Sequence, residues 1–278
     1  MAWNAFGDRP KSMQKSGVGD ERILLMDNVN YDHSPNLNWG GPEDTLFKKW
    51  VCERPSLAKD FSDDGIVDKE KFDSFWYPRI VLVLKEVNSE GAFSLRSFLN
   101  AGACNDNGFK AGRATWAPVQ RWLVALSDKL GKGLKPGQEN RKEALQTIAA
   151  VNVKKLHGKA TADSKDVSKH ARDDSEFLAK QLSLYFHKPT VFACGGHLVY
   201  EIVKCVLEKS IGVKLPVVKL QGSNIDFIEV STGVYAFDIG HHPCMSSRKK
   251  HDRRFVDAVM AIHNKLNLAH EEALGADK

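Results

Sequence analysis

The sequence predicts a three-layer α/β/α fold with a central, mainly parallel four-stranded sheet. Two observations carry that expectation. Four short apolar runs, RIVLVL (79–84), TIAAVNV (147–153), TVFAC (190–194) and VYAFDI (234–239), are nearly continuous, as strands buried on both faces must be. Amphipathic patterns lie between and after them, and this alternation implies parallel strands joined by crossover helices.

The elements follow in order. The first forty residues are rich in Asn, Asp, Gly and Pro and read as irregular structure. A helix is expected from Pro42 to about Arg54, because proline suits a first turn and Glu43 and Asp44 favour its positive end. After the first strand, WAPVQRWLVALSDKL has helical periodicity, as do DDSEFLAKQLSLYF and GHLVYEIVKCVLEK around the third strand. The polar stretch LHGKATADSKDVSKHARDD reads as an exposed loop. The last helix puts Phe255, Val256, Val259, Ile262 and Leu266 on one stripe. The expected organisation is an extension over 1–75 packed on a core domain over 76–278.

Bulk properties narrow the function. The 278 residues are 42% hydrophobic, enough for a sizeable core, and the formal charge is +5. Basic residues cluster at 248–254 and at Lys154, Lys155 and Lys159, which suits a polyanionic partner. The five cysteines are scattered without a Cys-x-x-Cys pair, arguing for a reducing compartment and against a zinc or iron–sulfur framework. The sequence shows neither an apolar signal core nor a run long enough to span a bilayer, so the expected location is the cytoplasm, with no membrane partner.

In a parallel sheet covered by helices, ligands bind at the carboxyl ends of the strands. There the sequence places KEVNSEGAF, with Glu86, Asn88 and Glu90; then Asn152, Lys154 and Lys155; then GGH; then Gly240, His241, His242 and Pro243. Acids, amides, histidines and cations are thus expected on one edge.

These segments, LKEVNSEG, AVNVKK, KPTVFACGGH and HHPCMSS, resemble in order and spacing the uracil-DNA glycosylase superfamily. The resemblance covers roughly residues 79–267 and implies a uracil-DNA glycosylase-like fold. It also implies a monofunctional DNA N-glycosylase that flips a base out of the stack, cleaves its N-glycosidic bond and leaves an abasic site, with DNA as partner and no metal, redox or nucleotide cofactor. His242 would stabilise the departing base, Asn152 would read its polar edge, and the first motif would orient the attacking water. Two alignments of that motif stand: Glu86 at a branch acid, or Asn88 at a branch asparagine, with Asn88 preferred. The motif lacks the family's proline and the tyrosine that closes the pocket beside C5 in the strict uracil branch. Phe93 can stack on the base instead, with Trp116 a weaker candidate. Lys154, Lys155, Ser246, Ser247, Arg248, Lys249 and Lys250 would hold DNA phosphates.

The implied substrate is uracil, for repair, or a hypermodified phage cytosine such as glucosylated hydroxymethylcytosine, for antiviral defence. A lone His-Pro pair marks a turn, and a basic run is commonly a solvated helix start. On that plainer reading the chain is a non-catalytic DNA- or nucleotide-binding module with the same fold. A phosphate-handling enzyme built on the GGH helix start would lack a P-loop lysine.

Overall fold

The computed structural model describes residues 42–89, 91–103, 113–158, 162–221, 223–243 and 250–276. The chain enters through α1 (Pro42–Glu53), β1 (Gly65–Ile66) and α2 (Lys69–Ser74), the last capped by Asp68, whose side chain accepts from the Lys71 amide at 3.1 Å. Next come β2 (Arg79–Leu84), the two-residue β3 (Val87–Asn88), α3 (Leu95–Asn100), α4 (Arg113–Leu130) and α5 (Arg141–Leu145). There follow β4 (Ala149–Asn152), β5 (His157–Gly158), α6 (Ser164–Asp173) and α7 (Ser175–Ser183). The chain then runs through β6 (Thr190–Cys194), α8 (His197–Ile211), β7 (Val217–Lys219), β8 (Asp226–Ser231), β9 (Val234–Asp238) and α9 (Lys250–Ala276).

Seven strands form one mixed sheet in the order β1-β4-β2-β6-β9-β8-β7. The four runs singled out in the sequence are its contiguous parallel part, β4-β2-β6-β9. The expected four-stranded sheet is therefore too small. β1 adds antiparallel to β4, and β8 and β7 extend the other edge as an antiparallel pair. β7 and β8 are part-exposed, so their residues lack the continuous apolar signal of the central strands.

Side-chain alternation builds two cores. Ile80, Leu82 and Leu84 join Trp122, Leu123, Phe255 and Val259 on one face, whereas Val81 and Val83 join Phe47, Trp50, Leu178 and Val203 on the other. Helices α3, α4, α5 and α9 cover the first face, and α1, α6, α7 and α8 the second. Trp122 stacks on Phe255 at 5.4 Å, locking α4 to α9.

Two expectations need correction. The polar stretch after β5 contains α6, capped by Asp163 and holding only Val167 and Ala171 in the core, too sparse a stripe to read from composition. Residues 42–75 are no mere extension: they supply β1 and the buried Phe47, Trp50, Phe61 and Phe72, and belong to the same compact unit as the rest of the described chain. Residues 1–41 lie outside the described residues. Among the described residues, no helix is long and apolar enough to cross a membrane.

Candidate functional site

The connection after β2 leads to β4 on one side, while that after β6 leads to β9 on the other, so a topological switch lies between β2 and β6. All four central strands end at that edge. Gly195 donates its N–H to the Val83 carbonyl at 2.8 Å, tying the turn after β6 to β2. A Cβ on Gly195 would lie 2.9 Å from Leu84 Cδ2 and 3.7 Å from Pro243 Cδ, and one on Gly196 would lie 3.7 Å from the His242 nitrogen. The His-His-Pro loop therefore folds back over the start of α8. Gly196, with φ of 108°, makes the turn a side chain would strain.

Asn152 ends β4, in register with Leu84, so the pleat turns its side chain to the face carrying Leu84 and Phe93. It is 1% exposed, and its Nδ2 has no hydrogen-bond partner among the described residues. A buried amide donor left unsatisfied costs about 1–3 kcal/mol, which a bound acceptor recovers. His242 is largely withdrawn from water. Desolvation, with the Lys85 ammonium as a smaller cause, lowers its pKa to about 4, so the ring is neutral at pH 7. Asn152 ends β4 and the histidine loop follows β9, three strand spacings or roughly 14 Å away, but that loop folds back towards β6 over the start of α8. Phe93, half-buried against Phe98 at 5.3 Å, borders the same face.

Other expected residues are placed differently. Lys155 does not reach phosphate: its ammonium is buried, donating to both oxygens of Asp64 at 2.7 Å and lying 5.5 Å from the Trp50 ring. Lys154 is also buried, bonded to Glu86 at 2.7 Å and Asp166 at 2.6 Å. The Glu86 carboxylate also packs against Gly158, where a Cβ would collide with it. The clamp holds β3 beside β5 and so fixes the backbone of Asn88 in a parallel bridge to Gly158. Trp116 is core, 5% exposed. Ser246, Ser247, Arg248 and Lys249 lie outside the described residues, as does the side chain of Lys250, which opens α9. The loop is anchored where Arg254 Nε donates to the Asp238 carbonyl at 2.9 Å.

Two participants escaped sequence reasoning. The Lys85 charge acts on His242, and Asp64 holds the Asn152 amide nitrogen at 2.7 Å. Asp64 sits in SDDG, ahead of the two-residue β1, and only the fold brings that acid to the end of β4. A surrounding buried network links Glu43, Asp44 and Asp63 to Arg96, and Tyr185 donates to Glu43. Burial lifts the Glu43 carboxyl to about 7, against the lowering pull of Tyr185 and Arg96. The acids expected to favour the start of α1 are thus components of this network. Among the described residues, no group of three or more His, Cys, Asp or Glu is placed to hold a metal. No family model matches the chain, and no curated protein matches it either.

Proposed function

We propose that the protein is a monofunctional DNA glycosylase with a uracil-DNA glycosylase-like core, excising uracil or a hypermodified cytosine. The observation that carries this reading is a buried asparagine whose amide donor has no partner among the described residues, at the same carboxyl edge of the sheet as a neutral, desolvated histidine that follows the strand three places away. The flipped base enters between them. Asn152 donates from Nδ2 to a base carbonyl and can accept from a ring or exocyclic N–H through Oδ1. As the N-glycosidic bond breaks, its electron pair passes to the base; the neutral His242 donates a hydrogen bond to the oxygen that gains charge, and Lys85 favours the anion electrostatically. Water held by Asn88 adds to C1′ of the oxocarbenium-like sugar and releases its proton to the departing base or to solvent, since an amide positions water but cannot take a proton. The missing tyrosine beside C5 favours a substituted cytosine and hence antiviral defence. Phosphate contacts fall to the basic run 246–250 rather than to Lys154 and Lys155.

The test is abasic-site formation on uracil-containing, unmodified, hydroxymethylated and glucosylated DNA, read by alkaline cleavage and mass spectrometry of the released base. Release of a single base class supports the reading and names the substrate. The sequestration of Glu86 favours a second reading, a DNA-binding module without turnover. Salt-sensitive DNA binding with every substrate intact would select it.

A further inference from the structure

We propose that the buried Asp64–Lys155 ion pair is the positioning device for Asn152, setting the direction of the amide that reads the base; this rests on the glycosylase reading of the site. Strand β1 pairs with β4 only at Ala149 and Ala150, so the Asn152 amide lies beyond the last rung of that ladder. Asp64 takes the place of the missing rung. Its carboxylate, 0% exposed, accepts from the Asn152 N–H at 2.7 Å, from Lys155 Nζ at 2.7 Å and from Gln181 Nε2 at 2.8 Å. Lys155 then turns back and donates to the Asn152 carbonyl at 2.9 Å. Both backbone polar groups of one residue are thus held by the two halves of a single ion pair. Phe47 and Trp50 of α1, with their rings 5.6 and 5.5 Å from the ammonium, complete its housing.

The arrangement matters because the Asn152 side-chain donor has no partner among the described residues to orient it. Its direction is inherited from the backbone, and the backbone is held by Asp64 and Lys155. Rotation of that strand end would present the amide donor and acceptor at the wrong heights along a base edge, and small misplacements of this kind cost about 100-fold in rate. Lys155 therefore acts through Asn152 and not on DNA.

The experiment is a double-mutant cycle between Lys155→Met and Asn152→Ala, with Asp64→Asn/Lys155→Met as a second variant that removes both buried charges yet keeps an acceptor for the Asn152 N–H. Folding is checked by circular dichroism, and single-turnover base release is measured on the base the wild type excises. The expected result is a loss of about 10–100-fold for Lys155→Met that vanishes when Asn152 is already alanine. The Asn152 side-chain amide resonance, identified by its disappearance in Asn152→Ala, is expected to shift or split in both lysine variants. Losses that multiply with Asn152→Ala, or an unmoved resonance, would overturn the proposal. Failure of both lysine variants to fold would make the pair a folding element only, also overturning it. If the wild type releases no base, the glycosylase reading fails and the resonance alone decides whether the pair positions Asn152.

Discussion

His242 is the residue whose charge state most directly tests the chemistry. Its folded pKa, lowered to about 4, lies below that of a free imidazole. The unfolded chain therefore binds the proton first, and the contribution of His242 to stability falls as pH drops from about 6.5 towards 4 and is level above that window. The loss has an upper limit on the order of 3 kcal/mol. His242→Asn should remove that contribution, seen as a smaller loss of urea midpoint between pH 7 and pH 5 than in the wild type. In turnover, His242→Ala is expected to slow base release by about 100-fold, the usual effect of removing one donor to a developing anion. Lys154 offers a contrasting case. Lys154→Ala leaves Glu86 buried without its cation and should destabilise the fold by about 3 kcal/mol. The salt slope of DNA binding should not change, whereas Lys249→Ala should reduce it by close to one unit. An equal effect of both lysines on the salt slope would restore a phosphate role to Lys154.

The start of α8 is the element that joins the strand ends to the histidine loop. Gly195 fits against Leu84, and Gly196 adopts a positive φ directly under His241 and His242. Gly196→Ala is expected to cost about 1–3 kcal/mol of backbone strain and to slow base release more than it weakens DNA binding. A calorimetric melt paired with binding and rate measurements on the same variant separates these effects; equal losses in all three would make the turn a structural corner only. The apolar strand before GGH was legible because TVFAC is buried on both faces. The clamp between β3 and β5 was not, because two-residue strands carry no periodicity and the Glu86–Lys154 pair spans 68 residues of sequence.

At the scale of the whole molecule, the sheet cannot be separated from residues 42–75. Arg96 is buried among Asp44, Asp63 and Glu43, and Lys155 is buried on Asp64. A chain beginning at residue 76 would leave both cations without their acids and expose the faces covered by Phe47, Trp50, Phe61 and Phe72. It should show no cooperative unfolding transition in denaturant, since each stranded buried charge alone costs about 3–5 kcal/mol. A cooperative transition from that fragment would restore the domain boundary expected at 75. The network also carries a pH signature: with Glu43 raised to about 7, the folded state holds its proton where the unfolded chain has lost it. Its contribution therefore declines as pH rises from about 4.5 to 7.

The four central strands, their order along the chain and the residues at their ends could be read from the sequence, because a strand buried on both faces needs an unbroken apolar run. The loops that follow parallel strands must then lie at one edge, which puts Asn152 and His242 at the same edge of the sheet. What the residues at that edge are bonded to was decided only by the tertiary structure. Lys154 and Lys155 have the same chemistry and adjacent positions as phosphate ligands would, but Glu86, Asp64 and Asp166 neutralise them across 68, 91 and 12 residues. Whether a charged side chain meets solvent or a buried counter-charge depends on which distant segment packs against it, and local sequence carries no trace of that partner.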